Sequence, residues 1–209
     1  MKLYLIRHGE TIYNASKVYQ PLDAPLSELG IKQARFVAER FKNISIDRII
    51  SSPAPRAKIT AEAISDAVNK EVEILDTLHE IKRPSDWIGK TFLDEHIIKS
   101  KAEMKKNVHD PDWHFSDEEN FHDSINRVKK CIEYFNSINE ENILVIAHEI
   151  IIKKIISVLM FNNELTPKEF DKIYPFLKMH NSGITLLEKN EGAWRLITWN
   201  DHAHLGEVS

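Results

Sequence analysis

The sequence predicts an α/β fold, specifically a three-layer α/β/α sandwich with a mostly parallel central sheet and a small cap-like excursion. Short apolar runs typical of buried strands alternate with amphipathic stretches typical of helices, as in strands joined by helical crossovers. The composition, with 42% hydrophobic and 29% charged residues, is that of an ordinary globular protein. The length of 209 residues fits one domain, residues 1–209, that includes an excursion over about 82–122.

The first half of the chain predicts three strands and two helices. Residues 2–6, 46–51 and 72–75 are short apolar runs, and residues 78–81 form another short extended piece. Ser27 is a typical N-cap for a helix whose apolar face runs to Phe41. A second helix begins near Arg56 and continues to about Val68, with Ile59 and its i, i+4 neighbours as its apolar face.

The second half begins with the excursion, which lacks a sustained helical or strand period and is predicted to lie over the core. A helix follows over about 119–138, and residues 142–147 are the clearest strand of the chain. Further helices are predicted over 150–160 and after Pro167, and two strands over 183–187 and 194–199 close the chain.

Charge, cysteine content and hydropathy exclude several classes of protein. The formal net charge is −4, so there is no basic excess to bind nucleic acid. The single cysteine, Cys131, excludes an intramolecular disulfide and a cysteine-based zinc site, and it is predicted to be a small buried hydrophobe. Charged residues interrupt the most apolar stretch, 143–161, which is therefore not a membrane span. With no apparent signal peptide, we expect a cytoplasmic protein without a membrane partner; no oligomeric state is specified.

Basic and imidazole side chains follow the predicted strands where those strands end. Arg7 and His8 come directly after the first strand, Arg56 follows the second strand and its loop, and His148 follows the strand over 142–147. Reactive groups gather at the carboxyl ends of parallel strands, so these four side chains are expected to form one cationic pocket. A dianionic phosphoryl group is the ligand that such a pocket fits.

The motifs around these residues resemble the histidine phosphatase superfamily, the phosphoglycerate-mutase-like proteins. Residues 7–11 with Asn14 resemble its RHGETxxN signature, and residues 23–30 resemble its LSxxG helix start. Residues 51–62 resemble the SSPxxRxxxTAE block, and residues 78–80 its L-x-E segment. Similar blocks occur around residues 119–127 and 145–148, so the resemblance extends along most of the chain in the family's order.

The resemblance implies a mechanism and its residues. His8 would be the nucleophile that forms a phosphohistidine, and its second ring nitrogen is expected to donate to a backbone carbonyl. Glu80 would be the general acid and base. The transferring phosphoryl oxygens would be held by Arg7, Arg56, Asn14 and His148, the last as an imidazolium. No metal and no cofactor is implied, because the basic side chains supply the positive charge.

Two departures from the family pattern concern substrate binding. Glu149 stands where the family usually has glycine, and a carboxylate there is expected to turn away from the phosphate. Lys82 and Arg83 stand where relatives carry an acidic, aromatic stretch, and they form either a changed substrate rim or a solvated charge run. Gln20, which matches the family's entrance loop, is also expected at the substrate site.

The predicted function is hydrolysis of phosphate monoesters, on a small phosphorylated metabolite or a phosphoprotein. A phosphoglycerate-type mutase is the alternative within the same chemistry, although the excursion is short for the enclosing insertion that a mutase needs. A non-catalytic phospho-ligand binding module is the alternative from another class, and Glu149 is the sequence feature that favours it.

Overall fold

A computed structural model describes residues 1–208; Ser209, the last residue of the predicted domain, lies outside the described residues. The strands are β1 (Lys2–Arg7), β2 (Arg48–Ser51), β3 (Val72–Ile74), β4 (Asn142–Ala147), β5 (Ile184–Asn190) and β6 (Ala193–Asp201). The helices are α1 (Ile12–Ser16), α2 (Glu28–Phe41), α3 (Pro55–Val68), α4 (Glu95–Asn107), α5 (Phe121–Ser137), α6 (Glu149–Phe161) and α7 (Pro167–Phe176).

The six strands form one sheet in the order β3-β2-β4-β1-β5-β6. The neighbours β3, β2, β4 and β1 are parallel, whereas β5 is antiparallel to β1 and to β6. The predicted fold class, a sandwich on a mostly parallel sheet, is confirmed. In this order β1 and β4 are adjacent, so the residues that follow them leave the sheet side by side.

Two apolar cores cover the two faces of the sheet. On one face, Val37 and Phe41 of α2 and Ile64 of α3 pack against the strands. On the other face, α5, α6 and α7 bury a larger set that includes Phe135 and Ile155. No helix within residues 1–208 is long and apolar enough to cross a membrane.

The helices begin where their capping residues predict. Ser27 is the N-cap of α2, and its side chain accepts a hydrogen bond from the Gly30 N–H at 3.0 Å. Asn120 and Asp123 form a capping box at the start of α5, one residue after the predicted boundary. Proline occupies the first turn of α3 and of α7. In the first turn a backbone N–H has no partner within the helix, so the lack of an N–H in proline costs no hydrogen bond.

Gly30 lets α2 approach the loop that follows β1. A Cβ at this position would lie 2.0 Å from the carbonyl oxygen of Glu10, so only glycine fits. The Ser27 N–H donates to the same carbonyl at 2.8 Å, and the Ser27 hydroxyl donates to the Glu10 carboxylate at 2.9 Å. These contacts fix the loop that carries the residues after His8.

Two local predictions are wrong, and the excursion contains a helix that no sequence period indicated. The predicted apolar face of α3 is not its buried face, since Ile59 is 39% exposed whereas Arg56 and Thr60 are buried. The predicted extended piece over 78–81 is a 3₁₀ turn at Asp76–Leu78 followed by irregular chain. The excursion contains α4, whose start is marked by the N-cap Asp94. A capped helix with a sparse apolar face lacks the period that identifies longer helices.

Candidate active site

His8 and His148 lie next to each other at the carboxyl ends of β1 and β4. The register of the parallel pair sets Arg7 opposite Ala147, so the next residue of each strand enters the same crevice. The two ring centroids are 5.0 Å apart with an interplanar angle of 60°. Both side chains are buried, with exposures of 2% and 0%. The structure therefore brings the two predicted histidines together.

The ring of His8 is held in one tautomer. Its Nδ1 lies 2.6 Å from the carbonyl oxygen of Gly9, and because a carbonyl only accepts, Nδ1 carries the proton. Burial, and then the nearby Arg56 and Arg7 guanidinium groups, hold the pKa of His8 well below 6.5. The ring is neutral at pH 7, and its Nε2 carries the lone pair that a nucleophile needs.

His148 is neutral as well in the absence of phosphate, and the imidazolium that the resemblance implies for the phosphate-bound site stays a prediction. Burial, followed by His8, Arg56 and Arg7, holds the pKa of His148 well below 6.5. Its Nε2 lies 2.7 Å from the Ser52 hydroxyl, which accepts from the Ala54 N–H at 3.4 Å. The hydroxyl proton is then directed at Nε2, an arrangement that favours the tautomer with its proton on Nδ1. His148 Nδ1 is buried and has no hydrogen-bond partner among residues 1–208.

Arg7 and Arg56 are anchored by one end of each guanidinium. Nη1 of Arg7 donates to the Met179 carbonyl at 2.7 Å, and Nη1 of Arg56 donates to the Leu22 carbonyl at 2.9 Å. The Nε atom of each is buried and unpaired within the described part of the chain. Burial is the largest cause that lowers the pKa of Arg56; the Glu80 carboxylate opposes it, and the adjacent Arg7 lowers the pKa further.

The Glu80 carboxylate lies at the N-terminus of α6. Its Oε2 accepts from the Ile150 N–H at 3.2 Å, and its Oε1 accepts from the Ile81 N–H at 2.9 Å. Helix N-termini stabilise negative charge, and these contacts tie the carboxylate to the helix that begins directly after His148. Glu80 is therefore adjacent to the histidine pair.

Glu149 is paired with cations. Its Oε2 lies 3.1 Å from Nη1 of Arg7, and its Oε1 lies 2.6 Å from Nζ of Lys153, which is buried. Nζ of Lys153 also donates to the Tyr174 carbonyl at 3.1 Å. The carboxylate thus neutralises part of the positive charge on Arg7.

Asn14 lies on α1 and Gln20 in the loop after it, and both are close to His8 in the chain. Oδ1 of Asn14 accepts from the Thr11 N–H at 3.2 Å, and Oε1 of Gln20 accepts from the Thr11 hydroxyl at 2.8 Å. Nδ2 of Asn181 lies 3.0 Å from the His8 carbonyl oxygen and 3.5 Å from Oδ1 of Asn14. The two side chains therefore belong to the hydrogen-bonded surroundings of His8.

Several residues around the pair carry no predicted role. Thr60 accepts from the Gly9 N–H at 3.1 Å, and Ser52 contacts His148 as described above. Both lie in the SSPxxRxxxTAE block, which could have identified them. Met179 and Asn181 precede β5, which is antiparallel to β1, so their segment returns to the edge of the sheet where β1 ends. No sequence motif points to this segment.

The arrangement suits an anion. Three buried nitrogen atoms of the residues near His8, Nε of Arg7, Nε of Arg56 and Nδ1 of His148, have no hydrogen-bond partner among the described residues. A buried unpaired polar atom is destabilising. Phosphoryl oxygens accept hydrogen bonds from such groups. Within residues 1–208, no group of three or more His, Cys, Asp or Glu side chains has the arrangement of a metal site.

A family model described as the histidine phosphatase superfamily (branch 1) matches residues 3–202. The chain is 28% identical over 212 residues to the "Putative phosphoserine phosphatase 2" of Hydrogenobacter thermophilus, and the match covers 100% of this chain and 99% of the relative. It is 48% identical over 68 residues to a "Probable phosphoglycerate mutase GpmB" of Yersinia pestis, which is 32% of each chain.

A solved structure is similar over almost the whole chain. It is a mutant phosphoserine phosphatase from Entamoeba histolytica in complex with phosphoserine, with a TM-score of 0.79 and 30% sequence identity. The likeness covers 98% of both chains. These two relatives, which are similar over almost their full length, are phosphatases by name, whereas the mutase match covers a third of the chain.

Proposed function

This chain belongs to branch 1 of the histidine phosphatase superfamily and is a phosphoric monoester hydrolase, and we propose that it works without a metal ion, through a phosphohistidine on His8. The observation that carries the proposal is the neutral His8 ring near three buried nitrogen atoms that have no partner in the described part of the chain. They supply a nucleophile and the means to hold the group it attacks.

In the first step, Nε2 of His8 attacks phosphorus while Nδ1 keeps its proton on the Gly9 carbonyl. The P–N bond forms as the ester P–O bond breaks, and the Glu80 carboxyl gives its proton to the leaving oxygen. In the second step, the Glu80 carboxylate takes a proton from water, the water oxygen bonds to phosphorus, and the P–N bond breaks. Inorganic phosphate leaves and both residues return to their starting protonation states.

Arg7, Arg56 and His148 stabilise the transferring phosphoryl group. Their unpaired nitrogens are buried, where a charge-assisted hydrogen bond is stronger than in water. A bound dianion raises the pKa of His148 and so favours its imidazolium form, because the negative charge of the phosphate compensates the positive charge of the nearby guanidinium groups. Asn14 and Gln20 hold the entrance loop against this site through Thr11.

Hydrolysis of a small phosphorylated metabolite is proposed over the other two functions. Transfer between the carbons of phosphoglycerate is supported by a match over only a third of the chain. Phosphate binding without turnover would not need a proton donor at the position of Glu80.

The test is turnover of p-nitrophenyl phosphate in excess chelator by wild type and by His8→Ala. We expect wild type to release p-nitrophenol and His8→Ala to lose at least 1,000-fold in kcat, a loss of about 4 kcal/mol in transition-state stabilisation. The matched control is His109→Ala, since His109 is exposed and lies in the excursion. Wild type that is mixed with an ester labelled in its phosphate group and then rapidly quenched should yield an acid-labile, alkali-stable phosphoprotein.

Three results would contradict the proposal. Equal turnover by His8→Ala would exclude His8 as the nucleophile. Loss of turnover in chelator, restored by added metal, would exclude metal-independent chemistry. Retained phosphate binding with no turnover of any ester from pH 5 to 8 would favour the binding module.

A further inference from the structure

A cavity of about 230 Å³ opens beside Glu80. Ile81, which follows Glu80, and Ile150, whose N–H binds the Glu80 carboxylate, both line it. Phe121, Phe170 and Tyr174 supply an aromatic wall. The volume lies below the range of about 300–1,000 Å³ that is typical of drug-sized ligands, so the cavity suits a small organic group. Its position beside the proposed proton donor is where the leaving group of an ester would lie.

Each acidic residue that lines the cavity has a partner of its own, and two of the four, Glu119 and Asp171, are paired with cations. Both oxygens of Glu118 accept backbone N–H bonds at 2.7 Å, from Phe115 and Ser116. Glu119 is held by a two-pronged ion pair with Arg127 at 2.7 and 2.5 Å. The exposed carboxylates Asp171 and Asp110 are bound by Nζ of Lys105 at 3.3 Å and by the Asp112 N–H at 3.0 Å, respectively.

Two cations in the same lining, Lys154 and Arg83, have no carboxylate partner within residues 1–208. Nζ of Lys154 is buried, donates to the Ser124 hydroxyl, and lies 4.5 Å from the centroid of Phe121 and 5.0 Å from that of Phe170. Arg83 makes no ion pair or hydrogen bond with any residue that the structure describes. A buried ammonium without a counter-ion is unfavourable, because burial removes the hydration that stabilises its charge. Its remaining donors are available to a ligand in the cavity.

The helix sets the spacing between Glu80 and Lys154. Ile150 and Lys154 are four residues apart on α6, so they lie on one face with a rise of about 6 Å between them. Helical side chains lean toward the N-terminus, which brings the ammonium closer to the Glu80 end. An anionic group a few bonds from the ester oxygen would therefore reach Lys154.

We propose that this cavity binds the leaving group of a phosphate monoester that bears a carboxylate, with Lys154 and Arg83 as the residues that determine this specificity. The inference rests on the proposed function, since it places the ester oxygen at Glu80. The burial that lowers the pKa of Lys154 to about 7 supports it, because a carboxylate at the ammonium compensates the lost hydration. The proposal assigns Arg83 to the changed substrate rim, one of the two interpretations that the sequence left open for Lys82 and Arg83. Lys82 fits the other interpretation, a solvated charge, because its exposed side chain is paired with Asp117 at 3.1 Å.

The experiment compares two esters that differ in the carboxylate. 3-Phosphoglycerate and glycerol 3-phosphate have similar size, and the carboxylate of the first is replaced by a hydroxymethyl group in the second. We expect wild type to favour 3-phosphoglycerate in kcat/KM. Lys154→Met should lose at least tenfold on 3-phosphoglycerate and less than twofold on glycerol 3-phosphate. Arg83→Met should show the same pattern to a smaller extent, because Arg83 is only half-buried.

The matched control is Lys168→Met, an identical substitution at an exposed site on α7. It should leave the ratio of the two kcat/KM values unchanged. A merely structural role of Lys154 would lower both values equally.

The outcomes separate the inference from the proposed function. Turnover of both esters with equal kcat/KM, or an unchanged ratio in both Lys154→Met and Arg83→Met, overturns the inference and leaves the phosphatase intact. If wild type hydrolyses no ester, calorimetric binding of the same two compounds decides instead. Tighter binding of 3-phosphoglycerate that Lys154→Met abolishes supports the inference, and equal binding overturns it.

Discussion

The buried ammonium of Lys154 predicts a pH-dependent difference in stability between wild type and Lys154→Met. Its pKa is about 7 in the folded chain, whereas an unperturbed lysine has a pKa of about 10.5. Burial is the largest cause, Arg83 and Arg127 lower it further, and the Glu119 and Glu80 carboxylates partly oppose the shift.

The sign follows from proton counting. Between pH 7 and 10.5 the unfolded chain keeps a proton on Lys154 that the folded chain has released, so the stability of wild type rises with pH. Below pH 7 both states hold the proton and the penalty is complete. A shift of 10.5 − 7 = 3.5 pH units corresponds to about 5 kcal/mol at about 1.4 kcal/mol per unit. Of this, about 2 kcal/mol is recovered between pH 7 and pH 9.

The assay is urea unfolding of wild type and Lys154→Met at pH 7 and at pH 9. Groups common to both proteins titrate alike, so the difference between their unfolding free energies isolates Lys154. Methionine keeps the length of the side chain, and the Ser124 hydroxyl retains its bond to the Phe121 carbonyl at 2.6 Å. We expect wild type to gain about 2 kcal/mol relative to the variant on going from pH 7 to pH 9. A difference that is the same at both pH values would refute the account of Lys154 as a buried base, and Lys168→Met should show no pH-dependent difference.

Two further predictions concern the site and the loop beside it. Glu149→Gln removes the carboxylate that pairs with Arg7 at 3.1 Å. In steady-state assays, inorganic phosphate should therefore inhibit the variant with an inhibition constant about three- to tenfold lower than that of wild type, a difference of about 1 kcal/mol. Unchanged or weaker inhibition would show that Glu149 does not compete with phosphate for Arg7. Gly30→Ala places a Cβ 2.0 Å from the Glu10 carbonyl oxygen and should lower the unfolding free energy by about 2 kcal/mol or more in urea. The exposed Lys32→Ala in the same helix should change it by less than about 0.5 kcal/mol, and an equal effect of the two would contradict the close approach.

The sheet and most helices could be predicted from local patterns. Apolar runs, the N-cap Ser27 and proline in the first turn each act within a few residues, and the structure confirms the elements that they indicate. The convergence of His8 and His148 was also predictable, because parallel strands end at the same edge of a sheet. On α3 the local period gave a wrong prediction, because Arg56 and Thr60 are buried and Ile59 is 39% exposed.

Contacts distant in sequence are what the tertiary structure alone decided. The carbonyl that anchors Arg7 belongs to Met179, 172 residues away, and reaches it because β5 runs antiparallel beside β1. The position of Lys154 beside Glu80 likewise depends on how α6 meets the chain after β3. Hydrophobic periodicity specifies which face of a helix or strand is buried, but it does not specify which distant element covers that face. The covering element determines which polar groups are buried together.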